Sequence, residues 1–240
     1  MISKVAISTK GLVKRYGRMR ALDGFSLDVP AGSVMGLVGP NGAGKTTWMM
    51  AVAGFLRVSA GEISVLDGGP FDATRHTGRF AILPQDSELP LEMTPRGFYI
   101  ALARMQGVGA GEAKRMAEET LRAVNLAEKA NRPIRALSHG MRKRVMSGQC
   151  FLGEPEVILL DEPMNGLDPE EAERMRRLIL SGQGKRTVVI SSHNLLDLER
   201  ICTHVAFAEA GRVVRIATMA ELTAGGASLE DCYLGRHKTQ

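Results

Sequence analysis

Apolar and polar positions alternate along the first part of the chain. Phe25, Leu27 and Val29 flank Ser26 and Asp28, and Ile63 and Val65 alternate with Glu62 and Ser64, with Asp67 following. A period of two places one strand face in a core and the other in water. Residues Val34–Val38 form a continuous apolar run ending at Gly39, the pattern of a strand buried on both faces. A helix is expected to follow over 44–55, carrying Trp48, Met49, Met50 and Val52. After Gln85 the texture changes. From about 95 to 149, Met, Leu and Ala are spaced among many Arg, Lys and Glu in a helical pattern. Strand signals return at 157–160, Thr187–Ser191 and 205–208, with a helix expected at Pro169–Leu180. Strands alternating with helices predict an α/β fold with a mostly parallel sheet, here interrupted by a helical insertion.

The 240 residues suffice for a substantial core, and 44% hydrophobic with 24% charged residues excludes a disordered or fibrous chain. Lys and Arg number 31 against 26 Asp and Glu, a net charge of +5. That excess suits an anionic ligand or membrane surface but is too small to indicate nucleic-acid binding, and none is expected. Cys150, Cys202 and Cys232 lack metal-ligand spacing and imply neither a disulfide framework nor a zinc site. The N-terminus shows no apolar run with a cleavage site, and the longest apolar stretches are strand-sized. A soluble, cytoplasmic chain is the expectation.

The strongest chemical signal is Gly39-Pro40-Asn41-Gly42-Ala43-Gly44-Lys45-Thr46, which fits the phosphate-loop pattern G-x-x-x-x-G-K-[ST]. Its glycines let backbone N–H groups turn inward around a phosphate chain, and the following helix adds its positive end. Lys45 is expected to reach the terminal phosphates and the Thr46 hydroxyl to coordinate Mg²⁺. A glycine-rich turn is the blander alternative, countered by the buried strand before the loop and the apolar helix after it. The run 157–160 then delivers Asp161 and Glu162 at a strand's carboxyl end, where open α/β sheets bind ligands. Asp161 is placed to hold the Mg²⁺ shell, and Glu162 to orient or deprotonate an attacking water.

With these two motifs the chain resembles the nucleotide-binding subunit of an ABC transporter. Leu137-Ser138-His139-Gly140-Met141 stands where the family has its signature Leu-Ser-Gly-Gly-Gln. Gln85 follows the strand Phe80–Leu83 as the Q-loop glutamine does. Asn165-Gly166-Leu167-Asp168-Pro169 is similar to the D-loop, His193 to the switch histidine, and Tyr16 to the aromatic that stacks on adenine. The resemblance implies one nucleotide-binding domain over 1–240: a RecA-like core with an antiparallel β subdomain (1–85 and 151–240) and a helical subdomain over 86–150. It assigns ATP to Tyr16, residues 39–47 including Thr47, Ser138 and Gly140. Hydrolysis falls to Glu162, His193 and Gln85, and Mg²⁺ to Thr46, Gln85 and Asp161.

The same resemblance implies a head-to-tail dimer with a second ABC ATPase subunit, and polytopic transmembrane permease subunits at the cytoplasmic face of the membrane. Ser138 and Gly140 would then contact ATP held by the partner's phosphate loop. His139 and Met141 depart from the family pattern; Ser-x-Gly-Met is similar to the bacterial export-type branch with separately encoded membrane subunits. The short tail from Met219 to Leu234, and the expected absence of a regulatory domain beyond it, point the same way. A competing expectation is a heterodimer in which this chain supplies a weakened signature. The alternative function is a soluble ABC ATPase acting on a protein assembly, of the iron–sulfur type.

Near the insertion's start, Leu89, Leu91, Met93, Phe98 and Tyr99 are candidates for contact with a membrane subunit, or else core residues. The basic groups Arg142-Lys143-Arg144 and Arg174, Arg176, Arg177 read as a solvated helix face, with lipid head groups or a coupling helix as the alternative.

Overall fold

Strand β1 (Val5–Tyr16) pairs antiparallel with β2 (Met19–Pro30), Tyr16 opposite Met19 at the turn. Strand β3 (Val34–Val38), buried at every residue, leads through the glycine-rich loop into α1 (Lys45–Val52). Strand β4 (Ala60–Val65) returns antiparallel to β1, giving a first sheet of order β2-β1-β4. The computed structural model describes residues 4–66 and 68–235; Asp67 and residues 1–3 and 236–240 lie outside the described residues.

A short α2 (Ala73–His76) precedes β5 (Phe80–Leu83). Three helices follow: α3 (Pro95–Met105), α4 (Ala110–Ala123) and α5 (His139–Gly148). The chain then alternates through β6 (Val157–Asp161), α6 (Pro169–Leu180), β7 (Thr187–Ser191), α7 (Leu195–Ile201), β8 (His204–Glu209) and β9 (Arg212–Thr218). Two short helices, α8 (Met219–Leu222) and α9 (Leu229–Tyr233), close it. The second sheet runs β5-β6-β7-β3-β8-β9, parallel throughout except for the β8–β9 pair. The expected α/β architecture is therefore present, with a mostly parallel sheet and a separate antiparallel one.

Local chemistry explains the helix starts. Thr94 caps α3 and Asp168 caps α6, each accepting from a first-turn amide, and Pro95 and Pro169 follow at positions that need no N–H donor. Strand β9 was not expected. It is an edge strand with exposed Val214 and Ile216, so its apolar positions carry no clear period.

The buried strands feed two cores. Ile158, Leu160, Val188 and Ile190 pack against Met175 and Ile179 of α6 and Leu198 and Ile201 of α7. The alternate residues Val157, Leu159 and Val189 pack on the other face with Trp48, Met49, Leu12 and Phe25, joining the parallel sheet to the antiparallel one. Trp48 donates its indole N–H to Thr9 Oγ1 at 3.1 Å, so its polar edge is satisfied in this core.

The helices α3 to α5 have a third core, including Phe98, Tyr99, Leu121 and Val145. Tyr99 is fully buried and donates to Val145 O at 2.8 Å. Phe98 and Tyr99 are thus core residues and cannot form an exposed contact, whereas Leu91 is half-exposed. The basic groups are a solvated face only in part: Arg177 is exposed, but the others are engaged. Arg176 is buried and paired with Asp197 and Glu173, Arg144 pairs with Glu171, and Arg142 and Lys143 donate to Leu137 O and Asn165 O.

Candidate active site

The loop between β3 and α1 is held against the sheet by close backbone approach. A Cβ on Gly39 would lie 2.1 Å from Ala208 O, and one on Gly44, at φ +97°, would lie 2.6 Å from Ala21 O. Only glycine fits at either place. Helix α1 starts with no side-chain cap. The amides of a helix's first turn have no intrahelical partner, so they and the helix dipole face the cleft ready for an anion. Lys45 donates to Gly39 O at 2.6 Å and Pro40 O at 3.1 Å. Burial lowers its pKa from the ordinary lysine value, against the opposing pull of Glu162 and Asp161.

Two acids stand opposite the loop. Asp161 ends β6, in register with Ser191 at the end of β7. Ser191 Oγ donates to Asp161 Oδ1 and accepts from Glu162 N at 3.0 Å, while the same amide also reaches Ser191 O at 3.2 Å. Asp161 Oδ2 is buried with no hydrogen-bond partner. Glu162 leaves the strand at φ +50°, a left-handed conformation that costs a non-glycine residue about 1–2 kcal/mol. Its Oε2 lies 2.9 Å from His193 Nδ1; the glutamate is largely buried, whereas His193 is 65% exposed.

One open cleft of about 590 Å³ is lined by Tyr16, Met19 and Ala21, residues 41–47, Gln85, Asp161 and Glu162. Gly39 and Pro40 lie at the loop's base, turning their carbonyls to Lys45. Tyr16 is half-exposed, with Lys14 Nζ 5.2 Å from its ring centre. Ser138 and Gly140 do not line this cleft. Ser138 caps α5 by accepting from Met141 N at 3.2 Å, and a Cβ on Gly140 would touch the Glu171 stem at 3.3 Å.

The donors around the cleft suit a hard divalent cation such as Mg²⁺. Thr46, Gln85 and Asp161 offer hydroxyl, amide and carboxylate oxygens, and the unpartnered Asp161 Oδ2 supplies a buried anionic ligand whose isolation is otherwise costly. Among the described residues no cluster of three or more His, Cys, Asp or Glu could hold a metal. Mg²⁺ commonly keeps several waters and substrate phosphate oxygens beside one or two protein carboxylates, a coordination that these few donors would suit.

Comparison with known proteins gives the family. The profile of the ABC transporter family matches residues 22–165. The chain belongs to the ABC transporter family. As an ABC ATPase subunit it is 34% identical over 213 residues to the Nod factor export ATP-binding protein I of Ralstonia nicotianae, covering 87% of this chain and 65% of that protein. It is 35% identical over 231 residues to the daunorubicin resistance ATP-binding protein DrrA3 of Streptomyces coeruleorubidus, covering 93% and 71%. Among solved structures, an ATP-binding subunit of an ABC transporter superposes with a TM-score of 0.84 at 28% identity, over 97% of this chain and all of that one. A dimeric cassette bound to ADP and Pi after hydrolysis shares the fold, with a TM-score of 0.79 at 21% identity, over 89% and 98% of the two chains.

Sequence reasoning missed Ser191 and Met19. Ser191 stands at the end of a strand whose other interior residues are apolar, and a polar residue there needs a partner. Met19 has no such sequence signal; only the hairpin register brings it beside Tyr16.

Proposed function

We propose that this ABC ATPase powers an exporter. Two copies, or this chain and a second ABC ATPase subunit, close over ATP beneath polytopic membrane subunits at the cytoplasmic face. The observation that carries the catalytic part is a single cleft lined by the phosphate loop, Asp161, Glu162 and Gln85, one of whose carboxylates, Asp161, has a buried oxygen without a partner. The export part rests on the relatives, whose names are those of export and drug-resistance ATPases. Those names favour a transporter over the soluble assembly ATPase. Among the described residues no helix is long and apolar enough to cross a membrane, so in this reading any crossing belongs to partner subunits. The units 1–85 with 151–240, and 86–150, are proposed as core and helical subdomain.

In this reading the adenine stacks on Tyr16 and the triphosphate lies along the amides of residues 41–47, Lys45 turning from Gly39 O and Pro40 O to the phosphates. Thr46, Gln85 and Asp161 would hold Mg²⁺, which would supply charge neutralisation for the phosphate chain. Glu162 accepts the proton of the water that attacks the γ-phosphorus, the bond to the β-phosphate oxygen breaks, and ADP, phosphate and a proton result. His193 must leave Glu162 Oε2 to contact the γ-phosphate. Ser138 and Gly140, outside the chain's own cleft, serve the partner's ATP. Triphosphate therefore bridges the two subunits and diphosphate does not, which makes closure a ligand-driven equilibrium.

The test is Glu162→Gln. With ATP and Mg²⁺ it should form a stable dimer on size-exclusion chromatography, without measurable hydrolysis, while the parent protein turns ATP over. A monomer at saturating ATP would sink the closure model. Affinity purification from solubilised host membranes should recover a polytopic protein, and recovery of soluble partners alone would overturn the export assignment.

A further inference from the structure

We propose that Ser191 is the positioning residue that aims both acids of the site, leaving Asp161 with one oxygen for the metal and holding the backbone turn that presents Glu162. The proposal rests on the functional reading above and names a residue to which that reading gives no role.

Ser191 is fully buried at the carboxyl end of β7, between Leu37 of β3 and Asp161 of β6 in register. The rest of β7 past Thr187 is Val188, Val189 and Ile190, packed into the two cores. A hydroxyl ending such a strand has two acts available, and it performs both. As a donor it takes Asp161 Oδ1, and as an acceptor it takes Glu162 N at 3.0 Å. With Oδ1 engaged, the carboxylate cannot swing freely, and Oδ2 is the oxygen left without a partner. A ligand whose other oxygen is hydrogen-bonded is held at one orientation, as outer-shell partners do around bound metals.

The second contact acts on the chain itself. Glu162 turns at φ +50°, and such a conformation persists only where its surroundings over-determine it. Its amide is shared between the Ser191 hydroxyl and the Ser191 carbonyl at 3.2 Å, so a single residue of the neighbouring strand fixes the turn. His193, two residues further on, pairs with the Glu162 side chain at 2.9 Å. The strand end bearing the histidine therefore also sets the place of the acid the histidine meets.

The substitution that separates these effects is Ser191→Ala. Glu162 N keeps its bond to the residue 191 carbonyl, so the turn retains a partner and the fold should survive; Ser191→Cys, with similar volume and a weak donor, serves as the second variant. On the full-length protein, ATP binding is measured by calorimetry in EDTA and across a Mg²⁺ titration, with thermal unfolding recorded alongside. We expect ATP affinity in EDTA to match the parent, and the Mg²⁺ concentration for half-maximal enhancement to rise about tenfold or more. Ser191→Cys should fall between, and Ser191→Thr should restore the parent value. Equal losses with and without Mg²⁺ would show a merely structural role and overturn the proposal, as would an unchanged Mg²⁺ midpoint. Asp161→Asn is the control on the underlying reading. If it leaves the Mg²⁺ dependence intact, Asp161 is not the metal's acid, and the site assignment fails before the question of Ser191 arises.

Discussion

Arg144 and Glu171 join α5 to α6 just behind the turn that carries Gly140, an ion pair with 3.0 Å between Nε and Oε2, not aligned as a hydrogen bond, and with side chains only 12% and 13% exposed. Replacing Glu171 by Leu leaves a guanidinium where little water reaches it. Breaking one side of a buried pair costs about 3–5 kcal/mol. Arg144 Nη1 keeps its bonds to Val124 O at 3.2 Å and Asn125 O at 3.0 Å, which puts Glu171→Leu at the low end. Arg144→Met should cost more. It strands Glu171 with only Arg174 at 3.9 Å, and removes the donor to both carbonyls. Each lost bond of that kind adds about 1 kcal/mol. The double variant removes both charges together, so its cost should fall to about 2 kcal/mol, the two carbonyl bonds alone. Urea unfolding of the four proteins measures this. Melting offers a second readout, since about 3 kcal/mol in a chain of this size corresponds to roughly 6–12 °C. If Glu171→Leu costs under about 1 kcal/mol and the double variant equals the sum of the singles, the pair behaves as a solvated one and the reasoning is wrong.

Two further outcomes are expected. Gly39→Ala should abolish ATP binding by calorimetry and lower the melting temperature, because its Cβ would sit 2.1 Å from a sheet carbonyl that cannot move alone; wild-type affinity would show the loop to be loose there. At pH 8, Ellman's reagent should modify half-buried Cys232 and spare Cys150 and Cys202 until denaturant is added. Burial pushes the Cys150 thiol up to about 12 and raises that of Cys202 as well, so fast reaction of all three would contradict the packing.

The elements legible in the sequence were those whose period and caps agree. Val34–Val38, Phe80–Leu83, Pro169–Leu180 and Thr187–Ser191 stand where they were expected. The phosphate loop, Asp161, Glu162 and Gln85 meet in one cleft because strands β3, β5 and β6 all deliver their carboxyl ends to the same edge of the sheet, and Tyr16 joins them from the end of β1 in the antiparallel sheet. What was not legible depends on partners distant in sequence. Arg176 reads as a solvated cation until Asp197 is seen beside it, and Tyr99 reads equally as a docking or a core residue until Val145 O is found at its hydroxyl. Ser191 needed knowledge of strand order, since β6 lies next to β7 across a whole intervening helix.

Lys45 rests on the carbonyls of its own loop. In the function proposed above, nucleotide capture would therefore be an exchange: two internal bonds are given up as the phosphate bonds form, and the net gain is smaller than a count of final contacts suggests. The same arrangement works in reverse. When a phosphate departs, the ammonium has a ready place to retreat to and need not linger as a half-desolvated charge facing an empty cleft. A motor that must let go of its product each cycle is served by a lysine with somewhere to return.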